Sequence, residues 1–372
     1  MGNKKRVNLR LTKRYLHGKL SQNFMTQPSK DKELRVGIIG CGNIFPMHAR
    51  PIANIKGLKL THVCDIDKTK AFKRAKEYEC DFYRYYKEML RKEKLDCVHI
   101  LTPHYLHAEM AIQAARHKTN ILVEKPMAIN PKDASRMINA ANKNNVKLGV
   151  IYQNRYSPAS RLLKENLDNG KLGKIKAIKL VLSYHKPDEY YEKSNWKGTW
   201  KKEGGGVLID QAIHFIDTLR WLVGDDVDYV ESHMANRMHK SIEVEDLAEG
   251  IIKFKKGTYI CFYLINYYSY DDDTEIEIDC EKGRVNIVKE SARVGLYDGT
   301  VLEAKPNPDD YIDYGEEVRN YWGGCHIKQI EDYYRSLREG NAPWIDGHEG
   351  KVTQDLVWAM YKSARQGKKV SL

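Results

Sequence analysis

The chain has 372 residues, of which 42% are hydrophobic and 30% charged, a length that favours two domains with a buried core in each. No apolar run approaches membrane-spanning length, and the N-terminus lacks the apolar segment of a secretory signal, so we expect a cytoplasmic protein without a membrane partner. The seven cysteines are scattered without CxxC or Cys/His metal spacing, which indicates free thiols in a reducing compartment and no metal site.

The positive charge is concentrated at the N-terminus. Of the formal net charge of +12, residues 1–33 supply most, with nine Lys or Arg against two Asp or Glu. One interpretation is a basic arm for nucleic acid or a membrane surface, and the other is a disordered leader. We favour a disordered leader over residues 1–33, because charged termini are commonly disordered, and we expect no nucleic acid partner.

A strand, a glycine turn and a helix open the remaining chain. Leu34–Ile39 predicts a buried parallel strand, and a helical pattern follows the turn formed by residues 40–45. Gly40 permits a tight turn, and Gly42 allows the backbone to approach a pyrophosphate, which the helix N-terminus would bind. Phe45 replaces the third glycine of the usual GxGxxG pattern. A lone GxG is a weak signal, but the flanking strand and helix support a dinucleotide site.

An acidic residue ends the second predicted strand, Leu58–Asp65, about 20 residues beyond the glycines. A carboxylate at that position binds the ribose hydroxyls of NAD and repels the 2′-phosphate of NADP. The alternative for Asp65 is a helix N-cap, to which Asp67 is equally suited. We therefore expect NAD, with NADP less favoured, although Lys68 and Lys70 leave that choice open.

Strands and helices alternate up to residue 151, which predicts a doubly wound parallel sheet. The further predicted strands are Asp96–Leu101, Asn120–Val123 and Lys147–Ile151. Ligands collect at the carboxyl ends of such strands, where the sequence places Thr102, Pro103, Glu124, Lys125, Tyr152 and Gln153. Lys125 is the expected cation at the reactive end of the cofactor, and the alternative is a surface lysine before a Pro turn.

The pattern changes to a period of two after Asn154, which predicts a large, mostly antiparallel sheet. The predicted strands are Lys174–Ser183, Val227–Asn236, Asp246–Phe254, Thr258–Tyr268, Thr274–Cys280, Arg284–Lys289, Arg293–Tyr297 and Thr300–Leu302. The predicted helices are Pro158–Asn169, Tyr321–Glu339 and His348–Gln366. The Tyr-rich stretch at 259–270 favours an oligomer interface or a half-exposed sheet face. We expect a nucleotide-binding domain at 34–153 and a substrate-binding and oligomerisation domain at 154–372, whose last helices pack back on the first.

Three glycines at 204–206 precede an apolar helical run whose Leu208, Ala212, Phe215 and Leu219 share one side. Asp210 and His214 are four residues apart, which predicts that they share one helical face. The carboxylate would orient the imidazole and stabilise its charged form, while the imidazole titrates near neutral pH. A solvated helix pair is the alternative, and the nucleotide-binding pattern upstream favours catalysis.

Several motifs together resemble the glucose–fructose oxidoreductase / inositol dehydrogenase / rhizopine catabolism (Gfo/Idh/MocA) family over residues 34–372. They are "VGIIGCGNI", "VCDID", "TPHYLHAEMAIQAA", "ILVEKPMA", "GGGVLIDQAIHFIDTLRWLVG", "HIKQIEDYYRSLREG" and "DGHEGKVTQDLVWAMYKSAR". The departures are Phe45 in place of a small residue, His104 where the family commonly has Asn, and the basic leader.

The resemblance implies an α/β fold with an N-terminal Rossmann domain and a C-terminal α+β domain, whose open-faced sheet forms a homodimer, tetramer or larger oligomer. It implies that NAD(H) is held by Gly40, Gly42, Asn43, Ile44, Asp65, Thr102, Pro103, His107, Glu124, Lys125 and Gln153. It implies a catalytic set of three residues. His214 would be the base, Asp210 would hold its tautomer or a substrate hydroxyl, and Lys125 would donate to the reacting oxygen.

The resemblance also implies a hydride transfer between nicotinamide and a ring secondary hydroxyl of a sugar or glycoside, with C3 favoured, or of a cyclitol. We expect the substrate to contact Lys125, Arg155, Tyr156, Tyr184, His185, Trp200, Asp210, His214 and His326. The alternatives are an inositol or nucleotide-sugar dehydrogenase, an NAD-dependent glycosidase that oxidises the ring transiently, and a non-catalytic NAD(H)-binding protein. The intact set of Lys125, Asp210 and His214 disfavours the last.

Overall fold

The structure is a computed structural model that describes residues 32–308, 312–316, 318 and 324–372. The prediction of a disordered leader lies outside the described residues, except for residues 32 and 33, and so does the predicted start of a helix at Tyr321. Within the described ranges, no helix is both long enough and apolar enough to cross a membrane.

The first sheet is parallel throughout and has the strand order β3-β2-β1-β4-β5-β6. Its strands are β1 (Leu34–Ile39), β2 (Leu58–Cys64), β3 (Asp81–Tyr83), β4 (Cys97–Ile100), β5 (Asn120–Val123) and β6 (Leu148–Val150). The doubly wound parallel sheet predicted from the sequence is confirmed. The edge strand β3 was not predicted, because three residues are too short to show a period.

Helices cover both faces of this sheet. They are α1 (Pro46–Asn54), α2 (Lys68–Glu77), α3 (Tyr86–Lys92), α4 (His104–Arg116) and α5 (Pro131–Asn144). Neighbouring residues of β1 belong to different cores, with Ile38 packed in the cluster that contains α1 and Ile39 in the cluster that contains α4 and α5. Burial on both faces explains why the strands are continuous apolar runs.

The second sheet has the order β14-β13-β12-β11-β7-β10-β9-β8-β15 and is antiparallel except where β10 runs parallel to β7. Its strands are β7 (Ile175–Ser183), β8 (Val227–Ala235), β9 (Leu247–Phe254), β10 (Tyr259–Ile265), β11 (Glu275–Cys280), β12 (Gly283–Val288), β13 (Ser291–Leu296), β14 (Val301–Ala304) and β15 (Val370–Ser371). The prediction of a large, mostly antiparallel sheet is confirmed, and the two-residue β15 was not predicted.

Within the described ranges after residue 153, the structure has five α-helices and two single turns of other helix types. The helices are α6 (Pro158–Asp168), α7 (Asp188–Glu192), α8 (Ile213–Val223), α9 (His326–Arg338) and α10 (Gly347–Gln366), and the turns are a 3₁₀ helix at Gln153–Tyr156 and a π-helix at Leu208–Ala212. Helix α9 packs on α1, and α10 contacts α5 and β6. The end of the chain therefore returns to the parallel sheet, close to the carboxyl ends of its strands.

Candidate active site

The turn between β1 and α1 forms a cradle at the carboxyl edge of the parallel sheet. Gly40 has a φ of +105°, and a Cβ there would lie 2.7 Å from the Leu101 carbonyl oxygen, so the position requires glycine. A Cβ on Gly42 would meet nothing within 4 Å. The backbone N–H groups of residues 42–44 donate to no group in the described chain. These free donors fit a pyrophosphate, as predicted for Gly40, Gly42, Asn43 and Ile44.

Asp65 and Asp67 have different roles in the structure. The Asp67 carboxylate caps α2 by accepting from the N–H groups of Thr69 and Lys70 at 2.9 and 3.3 Å. The half-buried Asp65 carboxylate accepts from the Cys41 N–H at 2.8 Å, which fixes it beside the glycine turn. Since Asp67 provides the helix cap, Asp65 is left at the place expected for a ribose ligand, and that role stays a prediction.

Replacement of Asp65 by Ser should shift cofactor preference away from NAD. Hydrogen bonds to a charged group are worth about 1.5–3 kcal/mol, so NAD should bind roughly 10–100-fold more weakly, while the repulsion of the NADP phosphate disappears. Titration of the purified protein with NADH and NADPH by fluorescence measures both affinities. Asp67→Ser is the matched control, because serine still caps α2. An unchanged ratio of affinities in Asp65→Ser would contradict the assignment.

His107 lies at the junction of two strand-end loops. It is fully buried, and its Nε2 and Nδ1 lie 2.7 and 2.8 Å from the carbonyl oxygens of Thr102 and Pro126. Both ring nitrogens are therefore engaged by backbone, and the prediction that His107 contacts the cofactor is not supported by its geometry. Thr102 and Pro103 are half-buried at the end of β4, where a cofactor contact remains open to them.

Glu124 ends a buried chain of polar side chains. Its Oε1 lies 2.9 Å from His48 Nε2 and 3.5 Å from His326 Nε2, and His48 Nδ1 in turn lies 2.8 Å from His99 Nδ1. His99 Nε2 reaches the Tyr334 hydroxyl at 2.8 Å. Burial would raise the pKa of Glu124, but the neighbouring imidazoles hold it well below the ordinary glutamate value. Glu124 is thus a fixed anion at the end of β5.

Several buried polar atoms near this edge have no partner within the described chain. They include Tyr152 Oη, Gln153 Oε1, His214 Nδ1 and His326 Nδ1. Buried polar groups are normally hydrogen-bonded, so such atoms indicate a place for a polar ligand. Together with the free amides of the glycine turn, they fit a bound dinucleotide and a hydroxylated substrate.

The triple glycine is held by a buried carboxylate. Glu245 accepts from the N–H groups of Gly206 and Leu208 at 2.9 and 3.1 Å and from the Tyr361 hydroxyl at 2.8 Å. A Cβ on Gly206 would lie 1.8 Å from the Glu245 carbonyl oxygen, so no other residue fits. This close approach fixes the start of the next helical turn.

That turn, Leu208–Ala212, is a π-helix and not the first turn of a regular α-helix. The Asp210 carboxylate makes no hydrogen bond to the His214 imidazole. The prediction that Asp210 orients His214 is therefore not supported, because the Asp210 carboxylate is bound to Lys125 and Lys197 instead.

Asp210 instead holds two ammonium groups. Lys125 Nζ lies 3.1 Å from Oδ1 and 2.6 Å from the Asp210 carbonyl oxygen, and Lys197 Nζ lies 3.0 Å from Oδ2. The Tyr190 hydroxyl and the Gln211 amide also donate to Oδ2, at 2.8 and 2.7 Å. Burial would raise the pKa of Asp210, but the lysines hold it well below the ordinary aspartate value. The structure thus brings together Lys125 and Asp210 from opposite domains.

His214 lies one turn beyond Asp210, on α8. Burial, with the Lys125 ammonium nearby, lowers the pKa of His214 to about 3. The imidazole is therefore neutral at physiological pH and a weak base, and the prediction that it titrates near neutral pH with a stabilised charged form is not supported. Its ring faces that of Tyr152 edge to face, with 6.3 Å between the ring centroids.

Two predicted substrate residues are structural. Arg155 is fully buried, and its guanidinium binds Asp217 through two contacts of 2.6 and 2.7 Å. The Tyr156 hydroxyl donates to Asp332 at 2.7 Å, and the ring packs on Trp344. These contacts do not support the prediction that Arg155 and Tyr156 bind substrate, although Arg155 Nη1 has no partner within the described chain.

Three further predicted substrate residues have partners on the second domain. The Tyr184 hydroxyl accepts from Thr274 at 3.2 Å, and His185 Nδ1 lies 2.7 Å from the Tyr268 carbonyl oxygen. Trp200 Nε1 donates to the Glu243 carbonyl oxygen at 2.9 Å. The Tyr184 hydroxyl, the Trp200 indole N–H and one ring nitrogen of His185 are therefore engaged by the sheet and its loops. Of the predicted substrate set, His326 lies with Glu124, and Lys125, Asp210 and His214 lie together.

Sequence reasoning missed three residues around Asp210. They are Tyr190, Lys197 and His104, whose Nε2 lies 3.8 Å from Asp210 Oδ1. Lys197 stands in the stretch Trp196-Lys-Gly-Thr-Trp200, which is separated from the triple glycine by residues 201–203. A lysine between two tryptophans was the available signal, but only the fold shows which carboxylate it meets.

Two family models match the chain. The model of the Gfo/Idh/MocA oxidoreductase family described as an NAD-binding Rossmann fold matches residues 34–152, and its C-terminal alpha/beta domain matches residues 164–372. The chain belongs to the Gfo/Idh/MocA family. The predicted family, the NAD cofactor and the assignment as an oxidoreductase are thereby confirmed.

Relatives in this Gfo/Idh/MocA family extend over most of the chain. Myo-inositol 2-dehydrogenase of Thermotoga maritima is 24% identical over 91% of this chain and 98% of its own length. Glucose-6-phosphate 3-dehydrogenase of Bacillus subtilis is 28% identical over 61% of this chain and 66% of its own. The WlbA dehydrogenase of Bordetella pertussis, solved with NADH and UDP-GlcNAcA, superposes with a TM-score of 0.80 at 28% identity, covering 93% of this chain and 99% of that one.

Proposed function

We propose that this protein is an NAD(H)-dependent dehydrogenase that moves a hydride between nicotinamide and a ring secondary hydroxyl, C3 favoured, of a sugar or glycoside. The observation that carries the proposal is the contact of the ammonium of Lys125, which lies just after β5, with Asp210 of the second domain, near enough to His214 for the lysine charge to lower the pKa of that imidazole. The relatives that act on inositols and on glucose 6-phosphate support a cyclic polyol substrate.

The side chains divide the work of alcohol oxidation. The carbinol C–H bond breaks with both electrons leaving as hydride, for which bound NAD⁺ is the acceptor, and the hydroxyl O–H bond breaks with its proton leaving as H⁺. We assign His214 as the acceptor of that proton because its Nδ1 is buried without a hydrogen-bond partner in the described chain, and its pKa of about 3 must rise when cofactor and substrate bind. Lys125 donates a hydrogen bond to the reacting oxygen and stabilises its developing negative charge. Asp210 fixes the direction of the Lys125 ammonium.

His214→Ala should keep NAD binding and lose most turnover. His214 is not part of the glycine turn that fits the nucleotide, so binding should persist. A general base contributes typically 10²–10⁴-fold to rate, so turnover should fall by about that factor. Stopped-flow measurement of NADH formation gives kcat, and NADH fluorescence gives binding. Turnover equal to wild type would remove His214 from the reaction.

A nucleotide sugar is the second candidate substrate class. The similarity to WlbA, whose solved complex contains NADH and UDP-GlcNAcA, supports it over nearly the whole chain.

One experiment tests both substrate classes. The nucleotide released by denaturation is identified, and NADH absorbance is followed with hexoses, methyl glycosides, inositols, sugar phosphates and UDP-sugars. Absorbance change with one class assigns the substrate. No change with any of them would contradict the dehydrogenase, and net hydrolysis without NADH would identify the glycosidase.

We also propose that the protein assembles as a homo-oligomer through the second sheet. Along β10, Ile260, Phe262 and Leu264 are buried, whereas Cys261 and Tyr263 are exposed on the opposite face. An outer sheet face with exposed Tyr side chains is compatible with a subunit interface, where Tyr is enriched.

A further inference from the structure

Lys197 is held in an aromatic sandwich on the segment that follows β7. Its Nζ lies 4.5 Å from the ring centroids of both Tyr190 and Trp196, and the side chain is only 15% exposed. A cation between two aromatic faces is stabilised by both rings and loses conformational freedom. The position of the Lys197 ammonium group is therefore fixed by aromatic side chains of the same segment, residues 188–200.

The Lys197 ammonium reaches two buried carboxylates. It lies 3.0 Å from Asp210 Oδ2 and 3.4 Å from Glu203 Oε1. Glu203 also accepts from the Gly198 N–H, so one carboxylate contacts both the Lys197 side chain and the backbone of the next residue. Burial would lower the pKa of Lys197, but the Asp210 carboxylate raises it well above the usual lysine value. Lys197 is a permanent cation at the catalytic carboxylate.

The two lysines take opposite oxygens of Asp210. Lys125 approaches Oδ1 and Lys197 approaches Oδ2, where the Tyr190 hydroxyl also donates. A carboxylate held by both oxygens has a fixed plane, which fixes the direction of Lys125 in turn. The other titratable groups that interact with Asp210 include His104, at 3.8 Å from Oδ1, His214, and Glu203, whose pKa is raised to about 7 by burial.

We propose that Lys197 is a positioning residue for the dehydrogenase reaction, and that its contact with Asp210 also latches the segment 188–200 over the site. Lys197 keeps the Asp210 carboxylate ionised and turned so that the Lys125 ammonium points to the reacting oxygen. Tyr190 belongs to the same latch, because it joins the segment to the same carboxylate oxygen. The catalytic part of this inference rests on the proposed function, whereas the latch does not.

The first test compares pH profiles of kcat/KM. Lys197→Met should lower kcat/KM about 10²-fold, as expected when a reacting group is misplaced by about 1 Å. Loss of one of two ammonium groups should raise the pKa of Asp210, so activity should fall at a higher pH on the acid side. Lys197→Arg should retain most of the wild-type profile. Lys193→Met, an exposed lysine on the same segment, is the matched control. A Lys197→Met profile equal to that of Lys193→Met would overturn the proposal.

The second test needs no substrate. Hydrogen–deuterium exchange of peptides within 188–200, on the full-length protein as purified, should be faster in Lys197→Met than in Lys193→Met, and near wild type in Lys197→Arg. Tyr190→Phe should show a smaller increase in exchange rate, and it replaces Lys197→Met as the test variant if Lys197→Met does not fold. If no sugar is oxidised by the wild type but exchange rises as expected, the proposed function fails and the latch stands. Exchange unchanged in Lys197→Met and in Tyr190→Phe would overturn the latch.

Discussion

Lys125→Met should lower kcat by about 10²–10³-fold, the usual cost of removing one donor that stabilises a developing oxyanion. The Lys125 ammonium is fixed by two contacts with Asp210, so in the proposed reaction it would donate to the reacting oxygen without reorganisation. Lys197 remains to pair with Asp210, and the buried carboxylate is therefore not left alone when Lys125 is removed. Steady-state kinetics on the substrate identified by the panel measures the loss.

Lys132→Met is the control for this variant, because Lys132 is an exposed lysine in the first turn of α5. Lys125→Arg should not restore activity, since the planar guanidinium has a different length and donor geometry from an ammonium group. A kcat for Lys125→Met within a few-fold of that for Lys132→Met would show that the reacting oxygen is stabilised by another group.

Asp217→Ala should destabilise the folded protein by about 3–5 kcal/mol, the range found when one partner of a buried ion pair is removed. Arg155 and Asp217 are both fully buried, and the pair is supported by Thr353, whose hydroxyl donates to Asp217 at 2.6 Å, and by Glu349 at 2.8 Å from Arg155. The substitution leaves the guanidinium with Glu349 as its remaining carboxylate. Urea unfolding followed by circular dichroism measures the change.

Asp168→Ala removes an exposed partner of Lys164 and should cost less than about 1 kcal/mol. The double variant Arg155→Met with Asp217→Leu removes both charges and should regain part of the lost stability, because apolar replacement of a whole buried pair is often neutral. If Asp217→Ala lowers the free energy of unfolding no more than Asp168→Ala does, the Arg155–Asp217 pair does not stabilise the fold. Arg155 would then again be a candidate for substrate binding.

The glycine turn and the end of β5 were accessible from the sequence because their signals are local. A continuous apolar run, a glycine pair and the following helix define the nucleotide cradle within a few residues of one another. Lys125 directly follows β5, so its place at the carboxyl edge follows from the parallel order alone.

The partners of the Asp210 carboxylate were not accessible in this way. Asp210 was paired with His214 on the assumption of a regular α-helix, but Glu245 holds the preceding glycines so that a π-turn forms. A carboxylate 35 residues further along the sequence therefore decides the geometry of that turn. Lys197 was missed for a related reason, because a loop lysine shows no period.

The sequence by itself determined the parallel sheet, the antiparallel sheet, the cofactor and the family, because each depends on periodicity or on motifs of a few adjacent residues. Only the tertiary structure decided which polar groups are free for a ligand. Arg155 was predicted to bind substrate but pairs with Asp217, whereas Lys197, which the sequence analysis did not single out, contacts Asp210. The reason is physical: long side chains reach partners set by the packing of distant elements, and buried charges must be paired where the fold places them.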